Sequence, residues 1–296
     1  MFSSIDDYRT KFEKELKMAI EKMGDPSRLR DACSYALLNG GKRLRPTLVY
    51  LVAEALGQNR DVTALALSVE YFHTASLIAD DLPCMDDDDM RRNQPSLHKA
   101  FDESTALLAT YTLVAAGYGA IYDANQSHKN QFPQEVAQID AVTILCLETV
   151  SRSAGLRGAT HGQFIDLFPP DKTYETIRTI ILQKTATLFE ICFVLGWLFG
   201  GGSDKSLEEV KQCARHLGVA FQIADDCQDF KQDDHQASEI NIAHVLGHEK
   251  ALELFDEELQ GFSQMLQTLG LWTRPFQRLC KELRRSTSRP AVSGPA

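Results

Sequence analysis

The sequence predicts an all-α protein. Three observations carry this: apolar residues recur at helical spacing in nearly every segment, no stretch shows the apolar/polar alternation of a half-buried strand, and glycine and proline punctuate the chain at helix-length intervals. Ile5, Tyr8, Phe12, Leu16 and Ile20 form one face of a first amphipathic helix over 5–23, which Gly24-Asp25-Pro26 stops. A second helix over 28–38 ends at Asn39-Gly40-Gly41, and Pro46 suits the first turn of a third over 48–56. Gly40-Gly41-Lys42-Arg43-Leu44-Arg45 is then a tight basic turn. It reads as a plain helix C-cap with solvated cations, or as an anion site in which glycine lets backbone approach a phosphate and Lys42 and Arg45 donate charge-assisted hydrogen bonds.

Leu65, Leu67, Val69, Phe72, Leu77 and Ile78 mark a fourth helix, which runs into Asp80-Asp81-Leu82-Pro83-Cys84-Met85-Asp86-Asp87-Asp88-Asp89-Met90-Arg91-Arg92. Six aspartates in ten residues repel one another, and packing gives no reason for them. On a regular helix Asp80 and Asp86 would point apart. Pro83 clashes with the Ala79 carbonyl and offers a distortion that turns Asp86 to the Asp80 face. Mg²⁺ takes carboxylates, waters and substrate phosphates, so acids followed by two arginines suit a cation shared with a phosphorylated ligand; a solvated acidic loop is the plain alternative.

Further helices are expected over 105–122, 134–153, 174–200, 206–218 and 219–230, with Ser206-x-x-Glu209 as a capping box. Residues 188–199 are apolar around most of the circumference but too short and interrupted to span about 30 Å of hydrocarbon, so they form a central core helix and the chain has no transmembrane segment. A second acidic cluster, Phe221-Gln222-Ile223-Ala224-Asp225-Asp226-Cys227-Gln228-Asp229, puts Asp225 and Asp229 four apart on one helical face with Asp226 beside them. Like charges so spaced destabilise a helix unless a cation neutralises them. One domain is expected over 1–285, with 286–296 a loose tail.

Of 296 residues, 44% are apolar and 24% charged, ordinary for a globular protein with a sizeable core. A net charge of −10 argues against nucleic-acid binding. Seven cysteines without a C-x-x-C pair indicate neither a disulfide framework nor a zinc site, and the N-terminus lacks the apolar run of a signal peptide; a reducing cytoplasm is expected.

Six motifs stand in order: Gly40 to Pro46, the D-D-x-x-x-x-D of Asp80, Asp81 and Asp86, Arg91-Arg92, Gly162-Gln163 with Asp166, Lys184-Thr185, and Phe221-Gln222 before the D-D-x-x-D of Asp225, Asp226 and Asp229. With these the chain resembles the all-trans polyprenyl diphosphate synthases over residues 10–285, and around the first aspartate motif the bacterial farnesyl and plastid geranylgeranyl types. The resemblance implies a bundle of ten or more helices around a deep central cavity, a homodimer, and two aspartate motifs facing each other across the cavity mouth. Asp80, Asp81, Asp86, Asp225, Asp226 and Asp229 would hold up to three Mg²⁺ on an allylic diphosphate, which Arg91 also contacts. Gly41, Lys42, Arg45, His73 and Arg92 match the isopentenyl diphosphate site, Gln163 belongs to the substrate-binding set, and Lys184, Thr185 and Gln222 line the reacting end of the allyl chain.

The implied reaction is ionisation, condensation and elimination. Cations draw charge onto the leaving diphosphate, the isopentenyl double bond attacks C1 of the allylic chain, and a proton is lost, with no side-chain nucleophile. In the family, the residue five before the first aspartate often floors the cavity; here it is Ala75, beside Ser76, so the floor is open. One turn deeper, about 5.4 Å, Tyr71 and Phe72 close it. A C20 product, geranylgeranyl diphosphate, is therefore expected, with C15 farnesyl diphosphate as the alternative. Three departures stand out: Glu239 aligns with a lysine that reaches the allylic diphosphate, leaving Lys231 as substitute; Thr110-Tyr111 replaces a Gly-Asp pair; and Asp102 stands where glycine is common. They leave open a non-catalytic partner subunit of a heteromeric synthase.

Overall fold

A computed structural model describes residues 5–229 and 241–288. Apart from one two-residue ladder, its regular elements are all helical, as the periodicity requires. The chain divides into two compact units, residues 1–147 with Leu195–Gly201, and the remainder.

The first unit begins with α1 (Ile5–Glu21), whose Tyr8, Phe12, Leu16 and Ile20 are buried as their spacing demands. There follow α2 (Arg28–Leu38), α3 (Leu44–Ala55), α4 (Thr63–Asp80), a hairpin of β1 (Met90–Arg91) and β2 (Gln94–Pro95), α5 (Leu97–Ala100), α6 (Glu103–Gln131) and the start of α7 (Val136–Ala154). Helix α4 packs extensively on α6. Small residues set its closeness: Ser68 donates to the Gly117 carbonyl at 2.8 Å, and a Cβ on Gly117 would come within 2.7 Å of the Phe72 ring. No strand is expected here from the residue pattern. The ladder is too short for alternation, and its turn, Arg92-Asn93, lacks glycine although both residues have positive φ (54° and 63°), as a tight two-residue hairpin turn needs. Helix α6 extends beyond the expected 105–122 at both ends, and Asp102 caps its start, accepting from the Thr105 amide at 2.7 Å and the Thr105 hydroxyl at 2.8 Å. That role explains an aspartate at this position.

The second unit contains the end of α7, α8 (Ala159–Leu167), α9 (Tyr174–Ile180), a π-helical segment (Ile181–Ala186), α10 (Thr187–Phe199, its last residues belonging to the first unit), α11 (Leu207–Asp229), α12 (Ile242–Leu246), α13 (His248–Thr268) and α14 (Arg274–Ser288). Phe193, Phe262 and Phe276 form an aromatic cluster with centroids 6.0 to 6.2 Å apart. The two helices expected over 206–218 and 219–230 are one. Gly218 does not break α11; it permits close packing, since a Cβ there would sit 2.5 Å from the Ala186 Cα. Ser203 caps the short 3-10 turn ahead of this helix, its hydroxyl accepting from the Lys205 amide, and Ser206 lies within that turn. Residues 286–288, expected to be loose, continue α14.

Among the described residues, two helices are long and apolar enough to cross a membrane by length and composition, α6 and the continuous run Tyr174–Phe199. The latter matches the helix expected over 174–200, of which residues 188–199 alone are too short to span a bilayer. Its most apolar window is 72% buried within the protein, which makes it a core helix by packing.

Candidate active site

In the first unit, α4 ends at Asp80, and the chain reverses through Leu82 and Pro83 until the Asp86 amide donates to the Asp80 carbonyl at 2.9 Å. Asp86 is thus brought back to Asp80, by the helix ending there and not by a kink within a continuing helix. Asp81 is buried, and its carboxylate is clamped by Arg91, whose Nε lies 2.9 Å and 3.2 Å from the two oxygens and whose Nη2 bonds the first; Nη2 also reaches Asp88 at 3.1 Å. This pairing, first of all the hydrogen bond to Asp81, raises the Arg91 pKa.

The hairpin positions both arginines. The Asn39 amide donates to the Arg91 carbonyl at 3.1 Å and the Tyr35 hydroxyl to the Pro95 carbonyl at 2.8 Å, fastening the hairpin to α2. Arg92 turns the other way and donates to the Gly40 carbonyl. Gly40 and Gly41 have φ of 76° and 110°, open to glycine without strain, and a Cβ on Gly41 would meet the Arg92 guanidinium at 2.5 Å.

Arg43 holds the basic turn from inside. Its guanidinium is fully buried, donating to Glu13 at 2.6 Å, to the buried Glu70, and to the Leu37 carbonyl at 2.6 Å. Its neighbours face outward: Lys42 is exposed, and Arg45 Nη1 lies 3.3 Å from His73 Nε2. A guanidinium only donates, so Nε2 accepts and Nδ1 carries the proton. Nδ1 is buried without a hydrogen-bond partner. Burial, then the charges of Arg45, Arg92, Arg43 and Arg91, push the His73 pKa well below its ordinary value. One guanidinium thus touches a neutral imidazole, and three more add to the positive field around it.

Ala75 is buried, Ser76 donates to the His73 carbonyl, and one turn earlier the Phe72 ring packs edge-on against Tyr118, centroids 5.1 Å apart. Tyr71 is buried, and its pKa rises to about 12 through burial and then the charge of Asp123.

In the second unit, the π-helical segment carries Lys184 and Thr185. Such bulges recur at functional sites because they re-aim side chains within a helix. Gly162 of α8 lets this backbone approach, since a Cβ there would collide with Lys184. His161 Nδ1 and Gln183 Oε1 are 2.7 Å apart, and Lys184 pairs with Asp166 at 2.5 Å. Gln163 is buried. A relay then runs to α11: the Thr185 hydroxyl donates to Gln222 at 3.0 Å, the Gln222 amide to Asp226 at 2.9 Å, and the Ile242 amide to the other Asp226 oxygen at 2.9 Å. Asn241 adds a bond to the Asp226 carbonyl at 3.0 Å. Asp226 is thus turned into the protein, whereas Asp225 is half-exposed. Asp229 closes α11; its side chain, Lys231 and Glu239 lie outside the described residues.

The sequence reading missed Arg43, Asn39, Tyr35 and Asn241. Their roles depend on tertiary neighbours that no local pattern reveals. Among the described residues, Asp87, Asp89 and His98 also hold ligand-type atoms within 4.8 Å of one another. Carboxylate oxygens are the donors that Mg²⁺ takes, so both acid-bearing segments fit that ion.

Residues 26–241 match the family described as Polyprenyl synthetase. Among similar sequences are Geranylgeranyl pyrophosphate synthase 4 of Arabidopsis thaliana, 34% identical over 80% of this chain and 67% of that protein, and Farnesyl diphosphate synthase of Bacillus subtilis, 34% identical over 77% and 75%. Among solved structures, a geranyltransferase from Legionella pneumophila superposes with a TM-score of 0.82 at 30% identity, covering 96% of this chain and 97% of that one. The chain therefore belongs to the polyprenyl synthetase family and is an enzyme of the polyprenyl diphosphate synthase class.

Proposed function

We propose that this enzyme condenses isopentenyl diphosphate with C5, C10 and C15 allylic diphosphates and releases C20 geranylgeranyl diphosphate. The observation that carries the reading is the placing of Arg45 against the neutral His73, Arg92 on the Gly40 carbonyl and Arg91 on Asp81, where Asp86 folds back to Asp80. Cations gathered on glycine-rich backbone suit a diphosphate, and carboxylates beside them suit the metal that would accompany a second one. In this reading Gly41, Lys42, Arg45, His73 and Arg92 bind isopentenyl diphosphate, with His73 Nδ1–H offered to a phosphate oxygen. Arg91, Lys184, Thr185, Gln163 and Gln222 bind and orient the allylic partner. The carboxylates of Asp80, Asp81, Asp86, Asp225 and Asp229 would hold up to three Mg²⁺, with Asp226 positioning α11 through Gln222 and Ile242.

Mg²⁺, when bound, would screen the diphosphate charges and assist departure of the leaving group. Arg91 and Lys184 add fixed positive charge to that leaving group. The new carbon–carbon bond forms at C1 of the allylic chain as its C1–O bond breaks, the isopentenyl unit loses one proton, and inorganic diphosphate leaves. Product length follows from Ala75 and Ser76, which leave room, and from Phe72, whose ring packs against Gly117 and Tyr118 one turn deeper.

The same reading makes the protein a homodimer through α6, where Leu107, Tyr111, Val114, Tyr118 and Tyr122 form an exposed stripe at helical spacing. Its seven free cysteines suit a reducing compartment such as the cytoplasm. The assignment is tested by Asp80→Asn and Arg45→Gln in the purified enzyme: the first lowers kcat and the second raises KM for isopentenyl diphosphate, each by about 10²-fold or more. Full turnover in both variants would refute it.

A further inference from the structure

We propose that the outward face of α14 is a docking surface for an anionic lipid membrane. Phe276, Leu279, Leu283 and Thr287 are buried on one side of this helix. On the other, Arg274, Arg278, Lys281 and Arg285 follow at i, i+4, i+7 and i+11, a single stripe along the helix, and they line one surface depression with Gln277 and Glu282. With Arg284 the helix carries five cations against one acid, in a chain whose net charge is −10.

The helix dipole does not account for the stripe. Cations at a helix C-terminus complement its dipole, which covers Arg284 and Arg285. Arg274 and Arg278 stand in the first two turns, where the dipole disfavours them and where the first turn holds no acid. The pairs Arg278–Glu282 and Arg284–Asp256 are both exposed, so they contribute little. Cations four apart destabilise a helix, and a facing polyanion removes that cost.

Three features favour a bilayer over other polyanions. The cationic face carries no aromatic side chain on which a base could stack. It has no apolar anchor of the kind a protein partner's hot spot needs. A straight stripe of about 17 Å, the length of eleven helical residues, can meet a plane of headgroups along its whole length, whereas a wrapping polyanion would meet the acidic remainder of the chain.

The test is co-sedimentation of the full-length protein with vesicles of phosphatidylcholine and phosphatidylglycerol, or of phosphatidylcholine alone. Binding is expected to the anionic vesicles only, to fall about fivefold for each cation removed in Arg278→Gln/Lys281→Gln and in the variant that adds Arg274→Gln/Arg285→Gln, and to vanish when salt shortens the Debye length to about 3 Å. Melting curves and solution turnover should be unchanged, since these side chains are exposed and lie outside the proposed site. Absence of anionic-vesicle binding by folded wild-type protein, equal binding to neutral vesicles, unchanged binding by the fourfold variant, or binding to heparin but not to vesicles would each overturn the proposal.

Discussion

The residue on which the basic turn depends is Arg43, not the cations that would meet a ligand. Its guanidinium satisfies Glu70, which is 1% exposed, and replacing it leaves that carboxylate buried and unpaired. Arg43→Met is expected to cost about 3–5 kcal/mol of stability, measured by urea unfolding. Asp225 and Asp226 separate in the same way. Asp226→Ala strands the Ile242 amide and the Gln222 side chain and should cost about 1–3 kcal/mol, whereas Asp225→Asn should leave the unfolding midpoint unchanged and lower turnover. His73 supplies a pH dependence. Its folded pKa is depressed, so below the unfolded value of about 6.5 the unfolded chain binds more protons than the folded one. Stability then falls as pH falls through that region, by about 1.4 kcal/mol per pH unit for each such group, and is unaffected above about pH 7.5. His128, depressed chiefly by its burial, adds to the effect. Melting temperatures across that range check this, and His73→Gln should flatten the slope.

At the scale of elements, two irregularities do the positioning. The hairpin sends Arg91 to Asp81 and Arg92 to Gly40, and the π-helical segment presents Lys184 and Thr185. Gly162→Ala would force this segment away from α8, and is expected to lower kcat about 10²-fold with little change in KM for isopentenyl diphosphate, a steady-state measurement. Neither irregularity was legible in the sequence. A two-residue ladder shows no alternation, Arg92-Asn93 is not a recognised turn pair, and a single extra residue inside a helix leaves the apolar pattern intact. What was legible is whatever repeats along one helix: the buried face of α1, the core run of α10, and the four-residue spacing of Asp225 and Asp229. Gly218 misled because a glycine that admits a neighbouring helix looks, locally, like one that ends its own. The contacts of Asp226 with Asn241 and Ile242 were not legible, because those partners stand fifteen and sixteen residues further along the chain.

For the whole molecule, the claims concern assembly and product. Only 33% of the most apolar window of α6 is buried in its own chain, and the proposed dimer would cover it. Tyr111→Asp should shift the protein from dimer to monomer in analytical ultracentrifugation. Pushing the Phe72 ring toward the allyl chain with Gly117→Ala should shorten the product. The central claim is tested most directly by incubating the purified protein with Mg²⁺, isopentenyl diphosphate and, separately, C5, C10 and C15 allylic diphosphates, then resolving the products by length. Accumulation of C20 from each starter is the predicted result. Product arrested at C15 would contradict the floor at Tyr71 and Phe72, and no condensation from any starter, by folded protein that still binds diphosphate, would contradict the synthase itself.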